Sequence, residues 1–278
     1  MVLNPMLPTL SKSYINRFPF RLATTSFIYP DTWSANARAL APFLDEVELT
    51  FFESAPASLP TSEEIDLLCG VSEETGVTYH IHLPIDLKLG DRDPIVRTRS
   101  VQSITDLVAK TRPLNPAAYT VHLDLTEDLS DTNGVEKWVM RTAESLDRIL
   151  ETGISPQRLA VENLNYPLAV VEALIEDKKL SICLDIGHLH LIGDRFPDTF
   201  DRYENRISIL HLCGVGCRGE HLSLDQLPDQ EMDSVVEKAR TFLGTVSLEV
   251  FSIDHLLSSL NRFESAWMGT NTGSPEIV

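Results

Sequence analysis

The chain has 278 residues, of which 43% are hydrophobic and 23% charged, so it can bury the continuous core of one large domain. Its 41 acidic and 23 basic side chains give a formal net charge of −18, which argues against long nucleic acid as a partner. No run approaches the roughly 20 apolar residues of a membrane helix, and no secretory apolar segment stands near the N-terminus. We therefore expect a cytoplasmic protein with no membrane partner.

Short runs rich in β-branched and aromatic residues alternate with longer segments of helical periodicity, as in βα units around a parallel sheet. Eight such runs occur in series, at residues 21–27, 46–53, 78–84, 118–124, 158–164, 180–188, 206–215 and 245–251. Eight such strands in series predict that the sheet closes into a barrel. We therefore predict a single α/β domain, a (β/α)8 barrel over residues 21–265, with an N-terminal arm at 1–20 and a loose, flexible C-terminal tail at 266–278.

The four cysteines are irregularly spaced, at Cys69, Cys183, Cys213 and Cys217. Two of them lie inside apolar, strand-like runs, which is typical of buried thiols rather than of a metal-binding motif. We expect free thiols in a reducing compartment.

Side chains able to bind a metal lie near the carboxyl ends of successive predicted strands. Strand side chains alternate between the barrel interior and the helix layer, so the apolar neighbours indicate which positions point inward. The inward residues on the third to eighth strands are His82, His122, Glu162, Asp185, His211 and Glu249. Burying three carboxylates without counter-charges costs on the order of several kcal/mol per ion, so we predict a bound cation rather than a metal-free polar network. Mixed imidazole and carboxylate ligands suit Zn²⁺, with Mn²⁺ or Fe²⁺ as alternatives.

Two further histidines lie close to this set in the predicted barrel. His188 follows Asp185 by three residues where the sixth strand leaves the sheet, and His221 lies in the loop after the seventh strand. Both side chains are able to bind a divalent metal. They are candidates for a third metal or for assisting a leaving group.

Four other polar residues are weaker candidates for a functional role. His80 shares a face with His82 but lies one layer deeper, which favours a core position or a contact with a ligand. Glu48 falls in the middle of its strand, where a buried network would hold it. Arg218 and Glu220 lie near the expected barrel rim, where a solvated loop charge is the simplest interpretation.

The inward set resembles that of the xylose-isomerase-like barrel superfamily, which includes endonuclease IV and the sugar isomerases and epimerases. The resemblance covers residues 21–263 and implies the same fold. A four-residue core is similar to the single-metal site of the epimerase branch, where two glutamates also move the proton: Glu162, Asp185, His211 and Glu249. His82 and His122 resemble histidines of the endonuclease branch, which share the fifth-strand glutamate with a second metal. This second resemblance implies two ions.

The sequence departs from the endonuclease pattern at the position of a third metal. The DIGH motif that ends in His188, together with His221, is similar to the remaining ligands of that branch. The endonucleases have an aspartate two residues before the loop histidine, whereas this chain has Gly219. A third ion would therefore require Glu220 or Asp225 as a substitute ligand.

A closer resemblance lies in residues 21–54, RLATTSFIYPDTWSANARALAPFLDEVELTFFES, which look like the opening of the cobamide-remodelling phosphodiesterases. The later motifs HIHLP, TVHLD, VENL and DIGH extend the match along most of the chain. The resemblance implies hydrolysis of the phosphodiester in the nucleotide loop of a vitamin B12-type cobamide. The products would be cobinamide phosphate and the α-riboside of the lower-ligand base.

The resemblance also implies roles for individual residues. Glu162 would bridge two ions, Glu249 would bind one of them, and His188 would assist the leaving oxygen, so these three are the catalytic candidates. A corrin ring is much wider than a sugar, and we expect residues 27–33, 84–92 and 189–200 to contact it.

Two alternatives remain open at this point. One is a single-metal sugar or hydroxy-carbonyl isomerase or epimerase, with Glu162 and Glu249 as acid and base. The other is a corrinoid-binding protein without catalysis.

Overall fold

The fold is a closed barrel of eight parallel strands with a short added hairpin, seen in a computed structural model that describes residues 8–216 and 220–269. The strands of this part are β1 (Arg21–Thr25), β2 (Glu46–Thr50), β3 (Thr78–His82), β4 (Tyr119–Val121), β5 (Leu159–Glu162), β6 (Ser181–Asp185), β7 (Ile207–Leu212), β8 (Gly214–Val215), β9 (His221–Leu222) and β10 (Thr245–Leu248). Strands β8 and β9 form the hairpin, and β10 closes the barrel by pairing with both β7 and β1. The predicted (β/α)8 architecture is confirmed.

The barrel interior combines a small apolar cluster with many polar side chains. Between β4 and β7 the cluster is formed by Ala118, Ala160, Cys183 and Ile209. Along β10, β2 and β3 buried polar or charged side chains occupy the interior at the same depth or below it, among them Glu46, Glu48, His80 and Ser247. The interior is therefore a layered, filled core rather than a pore.

Helices connect the strands and cover the barrel. They are α1 (Trp33–Leu40), α2 (Ser62–Thr75), α3 (Pro94–Thr111), α4 (Thr132–Leu150), α5 (Glu172–Lys178), α6 (Ile186–Ile192), α7 (Phe196–Tyr203), α8 (Asp229–Ala239) and α9 (Ile253–Gly269). Local sequence explains where several begin: the side chains of Asp93 and Asp131 accept hydrogen bonds from Ile95 N and Gly134 N at the starts of α3 and α4. None of the described helices is long and apolar enough to cross a bilayer.

The N-terminal segment packs against the last helix. Phe18 lies between Phe20 and Trp267, with 5.0 Å between ring centroids in each pair, and contacts Phe263 edge-on at 5.4 Å. The predicted start of the tail at residue 266 is wrong, because α9 continues through Gly269. Aromatic packing on the arm accounts for this extension, which helix periodicity alone did not predict. Residues 270–278 lie outside the described residues.

Candidate metal centre

The predicted ligands meet at the carboxyl end of the barrel because each one ends or directly follows a strand, or lies one residue before its end. They are His82, His122, Glu162, Asp185, His211 and Glu249. All six are buried except His122, which is slightly exposed. They form two groups in which the potential donor atoms lie within 4.8 Å of one another. We name these the histidine set (His82, His122 and Glu162) and the carboxylate set (Glu162, Asp185, His211 and Glu249).

The histidine set is centred on one oxygen of Glu162. His82 Nε2 lies 3.0 Å and His122 Nε2 lies 2.8 Å from Glu162 Oε2. His82 Nδ1 donates a hydrogen bond to the carbonyl oxygen of Leu83 at 2.9 Å, which orients the ring with Nε2 toward Glu162. Two imidazole nitrogens and a carboxylate oxygen therefore converge on one point.

The carboxylate set is centred on His211. Its Nδ1 lies 3.1 Å from Glu249 Oε2, 3.3 Å from Glu162 Oε1 and 3.9 Å from Asp185 Oδ2. Glu162 thus directs Oε2 to the histidine set and Oε1 to the carboxylate set. One carboxylate is shared between two potential ion sites.

Unpartnered buried atoms indicate that the carboxylate set fits a cation. Asp185 Oδ2 is buried without a hydrogen-bond partner, and Glu249 Oε2 makes no well-aligned hydrogen bond although it lies 3.1 Å from His211 Nδ1. Such atoms normally have a partner, because an unsatisfied buried acceptor loses its hydration without compensation. Three carboxylates and an imidazole around one point are a suitable donor set for a divalent transition metal.

The pKa values of the buried carboxylates indicate which of them lacks a compensating positive charge. Burial raises the pKa of Asp185 to about 6, against the nearby His188 and with the added effect of Glu249 and Glu162. Burial also acts to raise the pKa of Glu162, but His122 and His211 hold it well below its ordinary value. The negative charge of Glu162 is therefore compensated by neighbouring histidines, whereas that of Asp185 is not. A cation at the carboxylate set would remove this difference.

Beneath the two sets, charged side chains of alternating sign form a column down the barrel, which is buried except for Arg21 at its amino-terminal end. Arg21 Nε lies 2.8 Å from Glu46 Oε2, and Glu46 Oε1 lies 2.7 Å from His80 Nδ1. Glu48 Oε2 lies 3.4 Å from His80 Nε2 and 3.5 Å from His211 Nε2. The column thus connects the amino-terminal end of the barrel to a predicted metal ligand.

The contacts within the column keep its members charged despite burial. Burial acts to raise the pKa of Glu46, but the hydrogen bond from His80 and the charges of His80 and Arg21 lower it to about 2. Burial acts to lower the pKa of His80, but Glu46 and Glu48 raise it above its ordinary value. The column is therefore a chain of mutually compensated ions.

The two candidates for a third ion lie beside the carboxylate set. His188 is in the first turn of α6, where its backbone N–H donates to Asp185 Oδ1 at 2.6 Å. His221, expected in a loop, belongs instead to β9, because the chain after β7 pairs with itself as a hairpin. His221 Nδ1 lies 3.6 Å from Glu249 Oε2, and the ring centroids of His188 and His221 are 6.3 Å apart. No cluster of three potential ligands among the described residues includes His188.

The loop residues considered for the third ion do not complete such a site. Arg218 and Gly219 lie outside the described residues. Glu220 is exposed, and the side chain of Asp225 accepts a hydrogen bond from Ser258 Oγ on α9 at 2.6 Å. Neither Glu220 nor Asp225 belongs to a described cluster of potential ligands.

Two buried cysteines lie beside the predicted ligands, a position that was not predicted for either thiol. Cys213 is grouped with Asp185 and His221, and Cys183 with Glu162 and His211. Burial raises the pKa of both thiols well above the ordinary value, so without an ion they remain protonated. Strand alternation was the available signal, because Cys183 stands two residues before Asp185 on the same strand face.

The three segments expected to contact a corrin ring differ in accessibility. In 27–33, Phe27 is half-buried, whereas Trp33 packs on Phe51 with 5.4 Å between ring centroids. In 84–92, Ile85 is exposed. Residues 189–200 are not a loop but largely α6 and α7, and their aromatic side chains Phe196 and Phe200 are buried in the core. The expectation for these two aromatics is therefore wrong.

A family comparison agrees with this architecture. The sequence profile described as xylose isomerase-like TIM barrel matches residues 38–266. The chain belongs to this family. The xylose isomerase-like assignment made from the strand-end residues is thus confirmed at the level of the superfamily, whereas the match to the cobamide-remodelling phosphodiesterases has no counterpart in the comparison. The sequence has no significant match among curated proteins.

Solved structures of the xylose isomerase-like type include enzymes of both branches. A D-tagatose 3-epimerase-like protein superposes with a TM-score of 0.71 at 20% identity, over 91% of this chain and 98% of that one. Endonuclease IV from Thermus thermophilus superposes with a TM-score of 0.69 at 20% identity, over 90% and 99%. An L-ribulose 3-epimerase superposes with a TM-score of 0.67 at 16% identity, over 93% of this chain and 99% of that one. At these identities the likeness establishes the fold alone.

Proposed function

We propose that the protein is a metal-dependent phosphodiesterase with two adjacent ions, Zn²⁺ or else Mn²⁺ or Fe²⁺. The supporting observation is the position of Glu162, whose two oxygens face two different groups of potential ligands. A single-ion enzyme has no need for the two histidines that converge on Glu162 Oε2. Paired ions are typical of enzymes that hydrolyse phosphate esters.

The chain's own residues have distinct tasks in this proposal. His82 and His122 would hold one ion, Asp185, His211 and Glu249 the other, and Glu162 both. Bound divalent ions supply charge neutralisation at phosphate oxygens and lower the pKa of water. His188, at the edge of the carboxylate set, would protonate the leaving oxygen.

The proposed substrate is a small molecule, a complete cobamide cleaved at its nucleotide-loop phosphodiester. The resemblance of residues 21–54 to the cobamide-remodelling phosphodiesterases supports this choice. The net charge of −18 disfavours polymeric nucleic acid, which is the substrate class to which the endonuclease branch would point.

A second candidate function is a single-metal sugar epimerase or isomerase. The carboxylate set favours it, because Glu162 and Glu249 both approach His211 Nδ1 and could face a bound substrate as acid and base. Epimerases are also among the similar structures. In this alternative His82 and His122 have no catalytic task.

Metal stoichiometry combined with product analysis separates the candidates. Purified protein should contain about two transition-metal ions per chain by elemental analysis, and His82→Ala or His122→Ala should reduce both the metal content and turnover. His255→Ala, on α9 and outside the ligand sets, is the matched control and should leave both unchanged.

Mass spectrometry after incubation with a cobamide should detect cobinamide phosphate and an α-riboside. Isomerised ketose with one ion per chain would establish the second candidate instead. Tight binding of a cobamide without turnover in metal-loaded protein would indicate a corrinoid-binding protein.

A further inference from the structure

The rim of the barrel mouth is divided between metal-ligand candidates and aromatic side chains. Strands β3 to β7 and β10 lead into the polar residues of the two ligand sets, whereas β1 and β2 have no such residue at their ends. Phe27 and Phe52 each follow their strand, β1 or β2, by two residues, and Phe251 follows β10 by three. Because β10, β1 and β2 are neighbours in the closed barrel, these three rings occupy one continuous stretch of the rim. We name Phe27, Phe52 and Phe251 the aromatic arc.

Phe52 contacts both of the other rings, and all three rings remain accessible. The centroid of Phe52 lies 4.8 Å from that of Phe27 and 5.7 Å from that of Phe251. Phe52 is 38% exposed, and Phe27 and Phe251 are half-buried. Of the large apolar side chains that are exposed in the described part of the chain, Phe52 is the only aromatic one. An exposed aromatic surface beside a polar centre is typical of a ligand-binding site.

The aromatic arc continues directly into the carboxylate set. Phe251 stacks on His221 with 5.7 Å between ring centroids and 17° between ring planes. His221 Nδ1 in turn lies 3.6 Å from Glu249 Oε2. A group resting on the aromatic arc would therefore adjoin a group held at the ligand sets.

We propose that the aromatic arc binds a planar heteroaromatic base that is linked through a ribose to the phosphoryl group at the ligand sets. This inference rests on the proposed function for the phosphoryl group and adds the part of the substrate beside it. Flat aromatic surfaces bind planar bases by stacking, with little dependence on the substituents of the base. A free ketose has no planar base, so a measured preference for a planar base would favour the phosphodiesterase over the epimerase.

Equilibrium binding to the metal-loaded protein tests the aromatic arc without requiring turnover. Benzimidazole α-riboside phosphate and ribose phosphate offer the same phosphorylated sugar with and without a planar base. Calorimetry should find about tenfold tighter binding of the benzimidazole compound, and Phe52→Ala should abolish this preference while leaving ribose phosphate binding unchanged. Phe52→Tyr, which retains the ring, should preserve it.

Leu243→Ala is the matched control, because Leu243 is 76% exposed but lies just before β10, at the opposite end of the barrel. Equal affinity of the two phosphates in the unmodified protein, or an equal loss of both in Phe52→Ala, would overturn the proposal. A preference for the base that depends on Phe52 in a protein unable to cleave cobamides would support the aromatic arc and refute the cobamide phosphodiesterase function.

Binding of the two expected products identifies what the aromatic arc holds. Phe52→Ala should weaken binding of the benzimidazole α-riboside about tenfold and leave cobinamide phosphate unaffected. Weakened binding of cobinamide phosphate alone would mean that the rings contact the corrin instead, which would overturn the assignment to the base.

Discussion

Glu48 Oε2 lies 3.5 Å from His211 Nε2, on the side of the imidazole ring opposite to Nδ1. Nδ1 faces Glu249 and Glu162 at 3.1 and 3.3 Å. Glu48 is itself held by a hydrogen bond from Ser247 Oγ at 2.6 Å. The Glu48 carboxylate thus faces His211 Nε2 as an ion pair rather than through a hydrogen bond, and its charge favours the ring orientation that directs Nδ1 toward the carboxylate set.

We predict that Glu48→Gln weakens metal binding about tenfold, because the amide is a poorer partner for the imidazole than the carboxylate. Competition with a chromogenic chelator measures the affinity, and the visible spectrum of Co²⁺-loaded protein reports the ligand geometry. Glu46→Gln is the matched control, since Glu46 belongs to the same column but contacts His80 rather than His211. Equal weakening in both variants would argue for a general loss of core structure.

Glu162→Gln is expected to be the most damaging conservative change in the site. It replaces one oxygen of a side chain that faces both ligand sets, whereas Glu249→Gln affects the carboxylate set alone. We expect Glu162→Gln to lower turnover at least about 100-fold and to reduce metal content further than Glu249→Gln does. Elemental analysis and initial rates on both purified variants provide the measurement. Near-normal turnover in Glu162→Gln would show that no ion depends on this side chain.

Removing the metal should lower thermal stability. The buried Asp185 Oδ2, which has no hydrogen-bond partner, would lose its counter-charge. An ion present at a free concentration of 100 times its Kd stabilises the folded state by about 2.7 kcal/mol. For a chain of this size we expect Tm to fall by about 5–10 °C after treatment with a strong chelator. Differential scanning calorimetry measures the change, and added Zn²⁺ should reverse it. An Asp185→Asn, Glu249→Gln double variant should show a much smaller response to the chelator.

The Glu46 carboxylate predicts a specific loss of stability in acid. Its pKa is lowered from 4.5 to about 2 against the effect of burial, by His80 and by Arg21. A lowered carboxyl pKa stabilises the folded state above the unfolded value, and this contribution disappears as pH falls through the folded value. The shift corresponds to about 3 kcal/mol.

The difference in unfolding free energy between metal-free wild type and Glu46→Gln should therefore shrink by about that amount between about pH 5 and about pH 2. Chemical denaturation across this range provides the measurement. Parallel stability curves would show that Glu46 is not held ionised by its neighbours.

Much of the candidate metal centre could be predicted from local sequence patterns. Strand alternation was sufficient to place Glu162 and Asp185 at inward strand ends, because each lies in a short run whose neighbours are apolar. The helix start at Asp185, by contrast, was not separated from the strand in the run 180–188, since an apolar run can continue a strand or begin a helix. The hairpin that holds His221 was also missed, because two-residue strands have no periodicity to detect.

The sequence by itself determined the eight strands, the inward direction of the ligand candidates and the charge that disfavours nucleic acid. Only the tertiary structure decided which of these residues touch. Local periodicity carries no information about distant neighbours, whereas closure of the barrel places β10 beside β1 and so brings Phe251 to Phe52, a separation of about 200 residues in the chain. The same closure brings Ser247 to Glu48, and through Glu48 supports His211.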